Sequence, residues 1–134
     1  MRPALLHALL SLTLLAPAAA FSAQAESLVV NGQLGLLGEW ELSANVSAQP
    51  ASGNKTFSGS MTLKHVGMCS QEGPQEKAGS VQLQLLGASR LFASFAMDGA
   101  TCTYRARKSD MYSGMLTCPG KSDVPLLLWI DEPK

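Results

Sequence analysis

The stretch that most constrains the fold of this chain is residues 90–118, RLFASFAMDGATCTYRARKSDMYSGMLTC. It contains three short segments in which apolar and polar residues alternate, separated by two sequences rich in turn-forming residues. Alternation with a period of two is typical of a strand that buries one face. Residues 90–118 therefore predict three antiparallel strands joined by two tight turns, with one cysteine on the second strand and another at the end of the third.

The first of these turns contains Asp98-Gly99-Ala100, where glycine tolerates the positive φ of a tight hairpin. With Gly99 and Ala100 as the two loop residues, the bulky apolar side chains of both strands fall on one face. The cross-strand pairs expected from this turn are Met97 with Cys102, Phe95 with Tyr104, and Ala93 with Ala106.

The second turn, Lys108-Ser109-Asp110, decides how two of the three cysteines lie. Folding about it brings Cys102 opposite either Thr117 or Cys118, and the second register puts both cysteines on one face. Opposed Cα atoms lie roughly 4.5 to 5.5 Å apart, which a disulfide tolerates, and closing a loop of this length would add roughly 3 kcal/mol. We predict a Cys102–Cys118 disulfide with Cys69 as the free thiol. The alternatives are a disulfide between Cys69 and one of the other two, and then an intermolecular disulfide.

Residues 1–25 have the features of a secretory signal peptide. A positive charge at Arg2 precedes an apolar run over residues 4–20, and Ala23-Gln24-Ala25 supplies the small-x-small pattern of a cleavage site. The apolar run is shorter than the roughly 20 uninterrupted residues of a membrane anchor. We expect export to the periplasm or secretion, no membrane span after cleavage, and a single domain over residues 26–134.

Alternating segments also cover most of the remaining chain. The other predicted strands are 27–31, 38–47, 56–66, 80–86 and 124–130, with loops at 49–55 and 67–79. The last strand is apolar on both faces, so it needs cover from the first strand or from a partner. Eight short strands in sequential hairpin order, without a helical pattern, predict an all-β protein. Because closure removes exposed sheet edges, we expect a small antiparallel up-and-down β-barrel, with a two-sheet β-sandwich as the alternative.

A three-residue motif stands at the start of the second predicted strand. Gly38-Glu39-Trp40 resembles the Gly-x-Trp of calycin-type barrels such as lipocalins, avidins and the small bacterial inhibitors of secreted metalloproteases. The resemblance covers these three residues and the architecture, and the other lipocalin motifs and the C-terminal helix are not visible. It implies a barrel in which Trp40 plugs one end. An ordinary core tryptophan is the alternative role for this residue.

The cysteines also allow a metal site. In a meander of hairpins, Cys69, Cys102 and Cys118 fall at one end of the barrel, and His65 points inward near that end. Three cysteines and a histidine are a ligand set for structural zinc, but the short Cys-x-x-Cys spacing is absent. A disulfide is the expected chemistry of an exported chain, so we expect no cofactor, with a metal or redox site at these four residues as the alternative.

Candidate catalytic groups are few. His65 is the one histidine beyond residue 25, and a dyad with Cys69 would lack an orienting carboxylate. Glu39 and Glu41 share a strand face at roughly the separation of a retaining glycosidase pair, but that face is solvated and implies no pocket. The sequence therefore predicts a protein that is not an enzyme.

The charge balance bears on the class of partner. The chain has 10 Lys and Arg and 10 Asp and Glu, so no global field attracts nucleic acid, and we expect no nucleic-acid partner. Arg105 and Arg107, with nearby Lys108, project from one strand face. This basic patch would suit an acidic partner or a lipid headgroup, although a solvated exterior explains it equally well.

These observations favour a non-catalytic binding or inhibitor-like module for a small apolar ligand or a protein partner. The alternatives are a structural envelope protein without a ligand and a metal or redox protein. Small residues at inward positions would either leave a cavity or let the barrel close tightly; they are Ala44, Ala93, Ala106, Gly59 and Gly114. Asn45 and Asn54 lie in glycosylation sequons, which matter in a eukaryotic secretory pathway.

Overall fold

A computed structural model describes residues 16–17, 26–49, 55–67 and 75–131, and this part of the chain is all-β. Eight antiparallel strands follow one another in chain order. They are β1 (Ser27–Leu34), β2 (Trp40–Gln49), β3 (Lys55–His65), β4 (Glu76–Leu86), β5 (Arg90–Met97), β6 (Ala100–Lys108), β7 (Tyr112–Thr117) and β8 (Val124–Asp131). Each strand pairs with the next and β8 pairs with β1, so the sheet closes into an up-and-down barrel. The predicted fold class is confirmed, and the sandwich alternative is wrong.

The strands form where the sequence alternates, because every second side chain enters the barrel. On β2, buried Leu42, Ala44 and Val46 alternate with exposed residues, and the other strands repeat this pattern. The buried side chains make one continuous core. The described residues contain no buried charged side chain, and none of them forms a helix long and apolar enough to cross a bilayer.

The hairpin between β5 and β6 has a different register from the one that the sequence predicts. Asp98 and Gly99, with φ of 51° and 74°, occupy the two-residue loop, instead of Gly99 and Ala100. Aspartate tolerates this left-handed conformation better than most residues, and two positive φ values match the twist of a tight hairpin. The observed pairs are Phe95 with Cys102, Ala93 with Tyr104 and Leu91 with Ala106. Because the shift is two residues, every side chain keeps its predicted face.

The hairpin between β6 and β7 confirms the predicted disulfide. Tyr104 pairs with Leu116 and Thr103 with Thr117, so Cys118, one residue beyond β7, comes opposite Cys102. The two cysteines form a disulfide, and their Cα atoms are 4.3 Å apart. The disulfide therefore clamps one end of the β6–β7 ladder.

Two strands, β1 and β4, extend by three or four residues beyond their predicted bounds. β1 continues through Gly32 to Leu34, because Gly32 pairs with Leu42 on one side and Leu128 on the other. β4 begins at Glu76 and not at residue 80, since the long strand β3 offers it pairing partners as far as Lys64. In both cases the neighbouring strands override a local sequence signal for a turn or loop.

The small inward residues serve close packing. Gly59 on β3 faces Val46, and a Cβ atom there would overlap the carbonyl oxygen of Asn45. Ala93 and Ala106 are buried in the core, and a Cβ atom at Gly114 would overlap the carbonyl oxygen of Arg105. Of the two predicted alternatives, the barrel therefore closes tightly at these positions.

The hairpin order gives the barrel two different ends. β1, β3, β5 and β7 finish at the end of the barrel that holds the disulfide, and we call this the cysteine end. β2, β4 and β6 finish at the other, which we call the open end. β8 pairs with β1 along one edge, its inward Leu126 and Leu128 are buried, and Leu127 and Trp129 on its outer face remain half-buried.

Candidate functional site

Trp40 is the first residue of β2, at the cysteine end of the barrel. It is half-buried against the core and pairs with His65 on β3, with the two ring centroids 4.8 Å apart in an edge-on arrangement. The Nζ atom of Lys77 lies 5.5 Å from the centroid of the Trp40 ring, within the range of a cation–π interaction. Lys77 also forms an ion pair with Asp98 at 3.1 Å. These contacts connect Trp40 to β3, and through Lys77 to β4 and the β5–β6 turn.

The four predicted metal ligands do not meet as free ligands in the described residues. Cys102 and Cys118 are bonded to each other, and Cys69 lies outside the described residues. His65 packs its ring against Trp40. Across ranges 16–17, 26–49, 55–67 and 75–131, no group of three or more His, Cys, Asp and Glu side chains is placed to hold a metal ion.

The loop between β1 and β2 presents two leucines to solvent at the cysteine end. Leu36 is 87% exposed and Leu37 is 92% exposed, about twice the exposure of the next large apolar side chain described, Met115 at 47%. We call residues 35–38 the leucine tip. The fold does not bury these two side chains, so they leave a small apolar surface at the tip of this loop.

The leucine tip is held in one shape by hydrogen bonds. The amide of Gly38 donates to the Gly35 carbonyl at 3.2 Å, and the amide of Gly35 donates to the Pro125 carbonyl at 3.0 Å. The amide of Leu37 donates to Oε2 of Glu39 at 3.0 Å. Three bonds across so short a loop pre-organise the two leucines.

Glu39 therefore has a structural role in the leucine tip. Its carboxylate lies against Gly35, where a Cβ atom would overlap it, and its backbone carbonyl accepts from the Val66 amide at 2.8 Å. Glu41, the other member of the predicted carboxylate pair, is exposed on the outer face of β2. The two carboxylates therefore have different surroundings: that of Glu39 accepts a hydrogen bond from the Leu37 amide, and that of Glu41 faces solvent.

The basic residues on the outer face of β5 and β6 differ from those that the sequence predicts. Arg105 and Arg107 point outward from β6, as expected. Lys108 falls on the inward register, with its Nζ atom 5.6 Å from the centroid of the Tyr112 ring. Arg90 on β5 pairs directly with Arg107 and joins the outer face. Sequence reasoning missed Arg90 because its position depends on the β5–β6 register.

The open end contains a small cavity of about 190 Å³ that both polar and apolar groups line. Its apolar lining includes Leu28, Phe57, Leu85, Tyr112 and Ile130, with charged residues at the rim. Burial raises the pKa of the Tyr112 phenol above its ordinary value. Small-molecule sites usually occupy about 300 to 1,000 Å³, so this cavity is too small for a typical drug-sized ligand.

The leucine tip was also missed, although its sequence carries a signal. Gly35-Leu36-Leu37-Gly38 places two large apolar residues between glycines, where turn chemistry favours small or polar residues. Several predictions lie outside the described residues: the signal peptide apart from residues 16–17, the free thiol at Cys69, and the sequon at Asn54. Asn45 is exposed on β2.

The barrel thus offers three surface features of different chemistry. They are the leucine tip, the outward arginines of β5 and β6, and the cavity at the open end. Comparison of the chain with protein-family models, with curated proteins and with solved structures finds no significant match.

Proposed function

We propose that this protein is an exported, non-catalytic binding module of the calycin-like type that docks onto a protein partner through the leucine tip. The observation that carries the proposal is the exposure of Leu36 and Leu37, at 87% and 92%, on a loop held by three hydrogen bonds. Burying a leucine side chain contributes roughly 1.5 to 3 kcal/mol. A pre-organised loop loses little conformational entropy on binding, so most of this energy remains available for affinity.

The charges around the leucine tip favour a protein over a bilayer. Among the described residues at the cysteine end, five carboxylates stand against three ammonium groups. The carboxylates are Glu39, Glu41, Glu76, Asp98 and Asp123, and the ammonium groups are Lys64, Lys77 and Lys121. A net negative surface is repelled by anionic lipids, and two leucines alone anchor a protein only marginally. An apolar pocket on a protein partner suits this surface better.

The filled interior supports the protein partner over a small apolar ligand. Phe57, Phe95 and Tyr104 fill the barrel and are almost completely buried. The cavity at the open end has a volume of about 190 Å³. The disulfide supports export, because such bonds persist in oxidising compartments. The closed eight-strand barrel, with Trp40 packed against the core at the start of β2, supports the calycin-like type.

Site-specific photo-crosslinking in the producing cell tests this proposal. A photoreactive residue at position 36 or 37 should give one discrete protein adduct, whereas the same residue at the exposed position 45 on β2 should not. With the adduct partner purified, Leu36→Asp together with Leu37→Asp should weaken binding at least about a hundredfold. Leu86→Asp, which alters an exposed leucine at the open end, is the matched control and should leave affinity unchanged.

Three results would contradict the proposal. One is the absence of a protein adduct at both tip positions. Another is a partner that binds the double aspartate variant as tightly as the wild type, when that variant keeps the wild-type melting temperature. The third is sedimentation with neutral phosphatidylcholine vesicles that the double variant abolishes, because the tip would then be a lipid anchor.

A further inference from the structure

The outer face of β5 and β6 carries a compact group of arginines that the leucine tip does not use. Arg90 pairs with Arg107, and the next outward pair along the same two strands is Phe92 with Arg105. The Cζ atom of Arg105 lies 5.5 Å from the centroid of the Phe92 ring. Three guanidinium groups and one aromatic ring thus occupy four neighbouring outward positions. We call these four residues the arginine cluster.

The positive charge of the arginine cluster is not neutralised within the described residues. The ion pair present there joins Lys77 to Asp98, and none of the three arginines is within salt-bridge distance of a carboxylate. The neighbouring outward positions are uncharged: Gln82 and Gln84 on β4, and Ser113 and Met115 on β7. The acidic residue closest in sequence, Asp110, borders the cavity at the open end beside Lys108.

The Arg90–Arg107 pair is unfavourable for the fold itself. Like charges directly opposite each other on antiparallel strands destabilise a sheet. No described carboxylate offsets this repulsion. An anion bound between the two guanidinium groups would offset the repulsion, because it would attract both.

The surroundings of the cluster form a shallow recess with mixed chemistry. Its lining side chains include Gln84, Leu86, Arg90, Phe92, Arg105 and Arg107. Leu86 is 38% exposed, and with Phe92 it adds apolar surface beside the charges. Gln84 pairs with Phe92 across β4 and β5 and adds a hydrogen-bond donor. The recess therefore suits an anionic group carried on a partly apolar or sugar-like body.

We propose that the arginine cluster binds a phosphoryl group through Arg90, Arg105 and Arg107. The planar guanidinium fork matches the oxygens of a phosphoryl group, and three cations suit a group that carries up to two negative charges. The group comes either from a phospholipid headgroup or from a soluble phosphate ester. The cluster lies toward the open end, away from the leucine tip, so this inference does not depend on the proposed partner.

Titration of the purified protein with defined probes tests the site and its source. Glucose 6-phosphate and inorganic phosphate represent soluble esters, and phosphatidylcholine vesicles with and without phosphatidic acid represent headgroups. The arginine Nε–Hε signals in ¹⁵N-correlated NMR spectra report soluble probes, and sedimentation reports vesicles. We expect saturable shifts of the arginine signals, or sedimentation that requires phosphatidic acid; either result supports the site and identifies the source.

Variants with the same change in net charge distinguish a specific arginine site from non-specific attraction of anions by positive charge. Arg90→Gln, Arg105→Gln and Arg107→Gln together should weaken binding at least about tenfold, because a hydrogen bond to a charged group contributes roughly 1.5 to 3 kcal/mol. Lys55→Gln, Lys64→Gln and Lys121→Gln together make the same charge change at other exposed positions. In about 0.15 M salt, where the Debye length is only about 8 Å, they should change affinity by less than about twofold. Replacing the three arginines by lysine keeps the charge, so it should give an intermediate loss.

Three results would overturn the inference. The first is the absence of a saturable response to both phosphate sources at low ionic strength. The second is equal weakening of binding by the triple Arg→Gln variant and by the triple Lys→Gln control, which would show that only the overall charge matters. The third is binding of hexaglutamate at least as tight as that of any phosphate probe, which would make the cluster a surface for acidic peptides.

Discussion

Tyr104 places a phenol hydroxyl inside the barrel, where the residue is 1% exposed. The hydroxyl donates to the carbonyl oxygen of Leu126 on β8 at 2.7 Å, and the carbonyl oxygen of Tyr112 on β7 lies 3.4 Å away. This bond joins β6 to β8 across the intervening strand. A buried polar group that finds a partner costs little, so the core tolerates a tyrosine among aliphatic side chains.

The Tyr104 hydroxyl should make the stability of the protein fall at alkaline pH. Burial raises the pKa of this phenol well above its ordinary value, so the folded state keeps the proton longer than the unfolded state does. The stabilisation is complete below the ordinary pKa of about 10 and is lost as the pH rises above it. Urea unfolding between pH 8 and pH 11.5 should show this decline. Tyr104→Phe should cost about 1 kcal/mol at pH 8 and should decline less steeply; an equal decline in both proteins would contradict the assignment.

At the scale of a strand, Gly59 allows β3 to approach β2 closely. A Cβ atom at this position would overlap the Asn45 carbonyl oxygen, which is backbone and cannot rotate away. We expect Gly59→Ala to lower the free energy of unfolding by roughly 1 to 3 kcal/mol, because the two strands must separate to fit the methyl group. Ser58→Ala, next along the strand, is the control and should change stability by less than about 0.5 kcal/mol. Equal stability of Gly59→Ala and the wild type would show that the barrel relaxes freely here.

At the scale of the whole molecule, the Cys102–Cys118 disulfide restricts the unfolded chain. The two residues are 16 positions apart, and a loop of this size is expected to stabilise the fold by roughly 3 kcal/mol. Urea unfolding with and without a thiol reductant should show a difference of this order. Cys69→Ser should respond to the reductant as the wild type does, and thiol counting on the native wild type should find one free thiol. An unchanged midpoint on reduction, or three free thiols, would contradict the pairing.

The faces of the strands were predictable from the sequence, but several details of pairing were not. The alternation of Leu42, Ala44 and Val46 with polar residues predicts the inward face of β2. The turn residues before β7 limited the pairing of Cys102 to two registers. The exact β5–β6 register depended on Asp98 adopting a positive φ, which local preference permits but does not require. The start of β4 at Glu76 depends on pairing with β3, and no sequence pattern within residues 76–79 predicts a strand there.

By itself, the sequence determined the all-β class and the inward faces, because each depends on residues close together in the chain and on a period of two. It limited Cys102 to two registers on β7, and the β6–β7 pairing decided between them. Tertiary structure alone decided the closure of β1 on β8, the exposure of Leu36 and Leu37, and the meeting of Arg90 with Arg107. These features join segments through long-range packing and register, and a side chain is buried or exposed only after the barrel has closed around it.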